Sequence, residues 1–127
     1  MTAADDAGTA GRAGSPGHPR HRLDPLIHAP IRLSIVACLA AADKAEFGFV
    51  RDTVEVSDSV LSKQVTLLAD AGYVRVRKGY VGKRPRTWLS LTAEGRRAFD
   101  GHLAALTAIA ARPAHPGAVL PAASNPN

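Results

Sequence analysis

The chain has 127 residues, with 16 Lys and Arg against 11 Asp and Glu, and a formal net charge of +5 at pH 7. This length leaves room for one domain and little more. The single cysteine, Cys38, excludes an internal disulfide. The sequence contains neither a run of about 18 apolar residues that would span a bilayer nor the apolar segment of a secretory signal. These features favour a soluble cytoplasmic protein with a basic surface.

Both ends of the chain are predicted to be disordered tails, over residues 1–22 and 112–127. The first is rich in Ala, Gly, Pro and Arg and has no aromatic residue, and the second contains four of the nine prolines. Such segments cannot bury enough apolar surface to offset the entropy that they lose on ordering. The folded domain is therefore predicted over residues 23–111.

Proline marks the start of the first two predicted helices. Asp24 is a good N-cap before Pro25, and Pro30 opens a longer helix that is predicted to end near Ala42. Apolar residues recur at helical spacing along this segment, at Leu26, Ile27, Ile31, Ile35, Cys38, Leu39 and Ala42. We expect the longer helix to pack in the core.

A polar break after this helix leads into a predicted helix-turn-helix. Residues 46–48 are interpreted as a short strand or a loop, and residues 49–54 as a short helix. A turn at residues 55–57 then leads into a second helix. In a helix-turn-helix the second helix enters the DNA major groove.

The second helix has clear start and stop signals. The hydroxyl of Ser57 can cap its first turn, and Gly72 ends it because glycine takes the left-handed conformation without steric cost. Leu61, Val65 and Leu68 form one apolar stripe. The residues between them are short or hydrogen-bonding, so the outer face of the helix is predicted to be polar.

Alternating apolar and basic residues predict a β-hairpin directly after Gly72. Strands are predicted at residues 73–77 and 86–91, with a glycine- and proline-containing loop at residues 79–85. Residues 73–91 include no acidic residue and six basic ones: Arg75, Arg77, Lys78, Lys83, Arg84 and Arg86. A helix with a polar outer face followed by a basic hairpin suits a major groove and its flanking phosphates.

A last helix is predicted to begin after Thr92, which can cap it, and to end before Pro113. Its apolar stripe consists of Phe99, Leu103, Leu106 and Ala110, widened by Ala105 and Ile109. This stripe has more apolar area than one small core needs, which favours dimerisation; packing within a single chain is the alternative.

The predicted order of elements resembles the winged helix-turn-helix transcriptional regulators of the MarR and ArsR type. The residues that carry the resemblance lie at Leu26–Leu33, Ser59–Val74 and Leu91–Gly95. They are most similar to the subgroup described as winged-helix DNA-binding domain regulators. The implied fold is mostly α-helical with a small β-hairpin wing. The chain lacks a Cys-x-Cys pair and a spaced histidine cluster, which argues against metal sensing and against a metal or other cofactor.

The resemblance implies that the helix over residues 57–71 lies in the major groove and that the wing over residues 73–91 contacts the backbone or minor groove. Candidate DNA-binding residues are Ser59, Val60, Ser62, Lys63, Gln64, Thr66, Arg77, Lys83, Arg84 and Arg86. Gln64 could read adenine and Lys63 guanine. The short hydroxyl side chains are expected to contact phosphates.

The family usually works as a homodimer joined through terminal helices. The implied interface residues are Leu23, Leu26, Ile27, Phe99, Leu103, Leu106 and Ile109. Two nearby residues remain open in their role. His28 is interpreted as a structural histidine, with an effector pocket beside Arg32 and Cys38, or a metal site with His102, as alternatives. Cys38 is interpreted as a small core residue rather than a redox switch.

These features bear on four classes of function. The leading hypothesis is a sequence-specific, homodimeric repressor associated with the bacterial nucleoid, which binds double-stranded DNA at an inverted repeat. A small-molecule effector is a further possible partner. The alternative is an architectural protein that binds nucleic acid without sequence preference. A protein–protein module on the same fold is a further possibility. No catalytic constellation is present in the sequence, which argues against an enzyme.

Overall fold

The structure, a computed structural model, describes residues 17–111. A short 3-10 helix, Pro19–Arg22, precedes four α-helices and three strands. The helices are α1 (Pro30–Ala40), α2 (Phe47–Val54), α3 (Asp58–Asp70) and α4 (Ala93–Ala111), and the strands are β1 (Ala45–Glu46), β2 (Val74–Val81) and β3 (Arg84–Leu91). This is the predicted winged helix-turn-helix. Along residues 17–111 no helix is long and apolar enough to cross a membrane.

The folded part of the chain begins earlier than the sequence indicates. Pro19–Arg22 forms a 3-10 helix that packs against α4, and Pro19 is buried. The prediction of a disordered tail is therefore wrong for these residues. The local composition could not indicate their order, because it depends on the contact with α4. The remaining parts of both predicted tails, residues 1–16 and 112–127, lie outside the described residues.

The helix predicted at Pro25 is a turn. Asp24 does act as a cap, since its Oδ1 accepts from the N–H groups of Leu26 and Ile27 at 2.9 and 3.3 Å. The turn cannot extend into α1 because Ala29 has an extended backbone, as is usual for a residue before proline. The helix α1 therefore starts afresh at Pro30 and ends two residues before Ala42.

The helix-turn-helix consists of α2, a turn, and α3. Glu55, with a φ of 64°, turns the chain between the two helices. Ser57 caps α3 as predicted, because its hydroxyl accepts from the N–H of Val60 at 3.2 Å. Arg51 of α2 adds a second tie, from its Nη1 to the Asp58 carboxylate at 2.8 Å.

The three strands form one antiparallel sheet in the order β1-β3-β2. Val81 pairs with Arg84, so the hairpin turns through only two residues, Gly82 and Lys83. Gly82 has a φ of 65°, as the first position of a type II′ turn requires. The predicted loop over residues 79–85 is thus mostly strand, because this tight turn matches the strand twist and lets pairing continue to the tip.

The core lies between α1, α3 and the base of the wing. The predicted stripe of α3, Leu61, Val65 and Leu68, is buried there. It meets buried residues from the other elements, which are Ile35, Val36, Leu39, Val50, Val74, Leu89 and Phe99. Trp88 lies on the outer side of the sheet, with the ammonium of Lys44 4.9 Å from its ring centroid.

The helix α4 begins against the base of the wing. Thr92 caps it as predicted, accepting from the N–H of Gly95 at 2.9 Å, and its hydroxyl donates to the carbonyl of Gly72 at 2.6 Å. Gly95 is buried, and a Cβ there would overlap the carbonyl oxygen of Tyr73. This position needs glycine for close approach rather than for backbone freedom.

We therefore expect Gly95→Ala to lower the free energy of unfolding by about 1–3 kcal/mol, the usual cost of overpacking. Gly101→Ala is the matched control in the same helix, because a Cβ at Gly101 would meet nothing within 4 Å. The control is expected to stabilise by about 0.5–1 kcal/mol, since alanine is the better helix former. Urea denaturation of both variants measures the difference, and equal effects would contradict this account of Gly95.

Candidate nucleic-acid interface

The outer face of α3 has the polar surface that the sequence predicts. Ser59, Ser62, Lys63 and Thr66 are exposed, and Val60 is half-buried. The Thr66 hydroxyl donates to the carbonyl of Ser62 at 2.9 Å, so its hydrogen is already used within the helix. The hydroxyl of Ser59 lies 3.3 Å from that of Ser57. These short side chains allow a partner to approach the helix closely.

Gln64 is less exposed than the prediction requires. It is half-buried, and its Oε1 accepts a hydrogen bond of 2.8 Å from Nη1 of Arg32 on α1. Gln64 is therefore not a free side chain on the outer face, unlike its neighbour Lys63. The contact joins residues 32 positions apart, so the local sequence gives no sign of it.

One face of the wing is turned towards the body of the protein, and the other is turned away from it. Val74 and Leu89 are buried, and the residues on their side of the hairpin therefore face the body of the protein. Because side chains alternate along a strand and directly paired residues share a face, Lys78 and Thr87 lie on this same inner side. The inner side of the wing thus has a cationic residue close to α3.

A cleft of about 300 Å³ separates α3 from this inner side of the wing. Ser62 and Thr66 line it from the helix, and Val76, Lys78 and Thr87 line it from the wing. Lys78 and Thr87 were missed as candidate site residues. The signal that could have found Lys78 is its spacing of four from the apolar Val74, which places both on one face of a strand.

The predicted wing contacts divide between the outer side and the tip. Arg77 pairs with Trp88 on the outer side, facing away from α3. Lys83 and Arg84 are exposed at the tip. Arg86 is also on the outer side and forms an ion pair with Glu46 of β1. Arg86 is therefore partly neutralised by the protein itself, which local sequence could not indicate because the partner lies in another strand.

The predicted dimer residues also divide into two groups. Ile27 and Phe99 are buried within the single chain, so the prediction that they form a dimer interface is wrong. Phe99 lies on the part of α4 that packs on the core. Leu103 is 40% exposed, and the remaining candidates, Leu23, Leu26, Leu106 and Ile109, are half-buried.

The amino-acid sequence of the chain matches a family model described as the winged helix DNA-binding domain, over residues 31–110. The chain belongs to the winged helix DNA-binding domain family. A solved transcriptional regulator homologue from Pyrococcus horikoshii is 25% identical to this winged helix protein, with a TM-score of 0.65, covering 68% of this chain and 86% of that one.

Two further solved structures share the winged helix fold. A MarR-family regulator from Silicibacter pomeroyi is 24% identical, with a TM-score of 0.55, covering 73% of this chain and 62% of that one. The regulator MOSR from M. tuberculosis, solved in complex with DNA, is 20% identical, with a TM-score of 0.58, covering 87% of this chain and 75% of that one. Family and fold are those of DNA-binding transcriptional regulators, which are not enzymes.

A second cavity of this winged helix protein, of about 370 Å³, lies at the start of α1. His28, Ala29, Pro30, Leu33 and Ser34 line it. Neither Arg32 nor Cys38 is among the lining residues, so this cavity is not the effector pocket that the sequence suggests beside them. Cys38 is half-buried against the core, and burial raises the pKa of its thiol. That keeps the thiol protonated, as expected of a packing residue.

His28 belongs to a hydrogen-bonded network around His102. The buried His102 accepts from the backbone N–H of Asp24 through Nδ1 at 3.0 Å, and its Nε2 lies 3.4 Å from Nδ1 of His28. The Asp24 carboxylate in turn accepts from the Tyr73 hydroxyl at 2.6 Å, which raises the pKa of Tyr73 to about 12. Within residues 17–111, no group of three or more side chains is arranged to hold a metal ion.

The His102 network predicts a pH dependence of stability. Burial, and then the charge of His28, lower the pKa of His102 below its usual value near 6.5. Below pH 6.5 the unfolded chain therefore binds more protons than the folded one, and the free energy of unfolding falls as pH is lowered. Protonated Nδ1 could not accept from Asp24.

We expect the melting temperature to fall between pH 7.5 and pH 5.5, and this slope to become shallower in His102→Gln. Gln can still accept from the Asp24 N–H but does not titrate. His21→Gln is the control, because His21 is exposed. A slope that survives in His102→Gln and disappears in His21→Gln would contradict the assignment.

Proposed function

We propose that this protein is a sequence-specific transcriptional repressor that binds an inverted DNA repeat as a homodimer. In this proposal α3 enters the major groove, and the wing lies on the flanking backbone and minor groove. The observation that supports it best is the cleft in which the polar side of α3 faces Lys78 and Thr87 of the wing. Helix and wing together form one concave surface that a nucleic acid strand can follow.

The charge distribution supports DNA as the partner. Eight of the 16 basic residues lie between Arg75 and Arg97, with a single acid, Glu94, in that range. Cationic side chains on this scale attract a phosphate backbone and release its counterions on binding. At the start of α3, Arg51 pairs with Asp58 at 2.8 Å. The ion pair offsets a negative charge that would otherwise repel phosphates beside the groove-facing residues.

A two-fold symmetric dimer would bind two half-sites about one helical turn apart, on the order of 10 bp between centres. The support for a dimer is the apolar surface that α4 leaves uncovered at Leu103, next to half-buried Leu106 and Ile109. The cavity beside His28 is the candidate site for a small-molecule effector, because it is mostly apolar and has one polar ring.

Competition in a mobility-shift assay tests whether binding is sequence-specific. The bound DNA is an operator fragment selected from genomic DNA. Unlabelled copies of this fragment are expected to displace it from the protein much more effectively than random DNA of equal length. Equal displacement by the two competitors would reject the sequence-specific regulator and favour the architectural protein.

Lys78→Ala is expected to weaken DNA binding several-fold and to reduce the slope of log affinity against log salt by about one, because one phosphate contact is lost. The variant keeps the base preference, since a phosphate contact carries no sequence information. Arg97→Ala is the control: it removes the same charge from the exposed surface of α4. If both variants have the same effect, Lys78 acts through net charge alone and its placement beside α3 is irrelevant.

Leu103→Glu is expected to shift the protein from dimer to monomer in light scattering at micromolar concentration, because a carboxylate would have to be desolvated in the interface. Phe49→Glu is the matched control, since Phe49 is 60% exposed on α2 and lies outside the proposed interface. A wild-type protein that is monomeric at this concentration would refute the dimer directly.

A further inference from the structure

The contact between Arg32 and Gln64 fixes which end of the glutamine carboxamide faces inward. A guanidinium carries five N–H donors and no acceptor. The atom of Gln64 that lies 2.8 Å from Arg32 Nη1 must therefore be the carbonyl oxygen Oε1, and not the amide nitrogen. The orientation of this side chain follows from chemistry, because the opposite rotamer would place two donors against each other.

The other end of the carboxamide, Nε2, is not fully enclosed by the protein. Arg32 is the hydrogen-bond partner of the Gln64 side chain. No side-chain nitrogen or oxygen of residues 17–111 is buried without a partner. Nε2 of the half-buried Gln64 therefore reaches the surface. Next to it along α3 is the exposed Lys63. Gln64 thus presents two N–H donors at the border of the outer face of α3.

Arg32 is itself held in place by the turn before α1. Its Nε donates to the carbonyl of Leu26 at 2.5 Å. The N–H of Leu26 is bound by the Asp24 carboxylate, which also accepts from Tyr73. With one nitrogen bound to the backbone and another to Gln64, the guanidinium has little freedom to rotate. Arg32, itself bound to the turn before α1, therefore fixes the orientation of the Gln64 side chain.

We propose that Arg32 is a positioning residue for base recognition, which makes Gln64 a donor-only reader of an acceptor on a base edge. This inference rests on the proposed function, in which α3 lies in the major groove. An unconstrained glutamine can read adenine through both ends, accepting from N6 and donating to N7. With Oε1 turned towards Arg32, the remaining partners are acceptors: purine N7, guanine O6 or thymine O4.

Gln64→Glu tests this assignment by reversing the outward group. One glutamate oxygen keeps the contact with Arg32, and the other presents an acceptor where the amide donated. Selection of bound sequences from a random library is expected to show the preferred base at one position change towards cytosine, whose N4 is a donor. The preference there for the original base is expected to fall on the order of tenfold, the usual range for one base contact.

Arg32→Met tests the positioning role, because it removes the guanidinium and keeps a long side chain. At the same base position, discrimination is expected to fall several-fold in Arg32→Met but to change no further when Arg32→Met is added to Gln64→Ala. The matched control is Arg96→Met, which removes the same charge and also a hydrogen bond to α1, from Arg96 Nη2 to the Ala40 carbonyl. Arg96→Met is expected to leave base preference unchanged.

Two results would overturn the proposal. In the first, Gln64→Glu weakens all sequences equally, which would mean that the amide contacts phosphate. In the second, Arg32→Met lowers discrimination by the same factor with and without Gln64, which would mean a general structural effect. Failure of the proposed function is distinguished by the wild-type protein alone, since it would then show no base preference at any position.

Discussion

The angle between α3 and the wing depends on the hydrogen bonds and close packing where the wing begins and ends. Gly72, with a φ of 84°, turns the chain out of α3. Thr92, at the far end of the hairpin, returns to this point, with its N–H bound to the carbonyl of Tyr73 at 3.0 Å and its hydroxyl bound to that of Gly72. Gly95 allows α4 to approach the carbonyl of Tyr73 closely. The two ends of the hairpin are therefore fixed to the C-terminal end of α3.

This junction also links the wing to the segment before α1. The Tyr73 hydroxyl donates to Asp24, whose backbone N–H is bound by His102 of α4. Asp24 thus connects the base of the wing, the turn before α1 and the last helix. Because a partly satisfied buried network is costly, each of these contacts favours the others. The proposed DNA-facing surface is therefore stabilised by contacts with the turn before α1 and with α4.

Local signals in the sequence predict the elements and their ends well. The caps at Ser57 and Thr92, the glycine stop at Gly72 and the buried stripe of α3 are confirmed because each depends on neighbours within a few residues. The hairpin was predicted too short because its turn type depends on pairing across the strands. The fold class follows from these local patterns, since their order along the chain admits few arrangements.

The site is harder to predict because its details depend on contacts between distant residues. Arg77 and Lys78 are neighbours with the same charge, yet strand alternation places only Lys78 beside α3. Arg86 is paired to Glu46 of β1, a segment for which the local sequence cannot decide between a strand and a loop. The composition of the wing gives the number of its positive charges but not the face on which each charge lies.

In the proposed complex, contacts between distant residues also limit how much DNA sequence α3 can read. Of its outward polar side chains, Ser59, Ser62 and Thr66 are too short to reach far, and the Thr66 hydroxyl is bound within the helix. Lys63 and Gln64 are the longer ones, and Lys63 is a flexible point charge. A fixed guanidinium behind Gln64 therefore matters more here than in a helix rich in long polar residues. In the proposed complex, specificity comes mainly from the held side chain of Gln64, and affinity comes from the exposed cations of the wing.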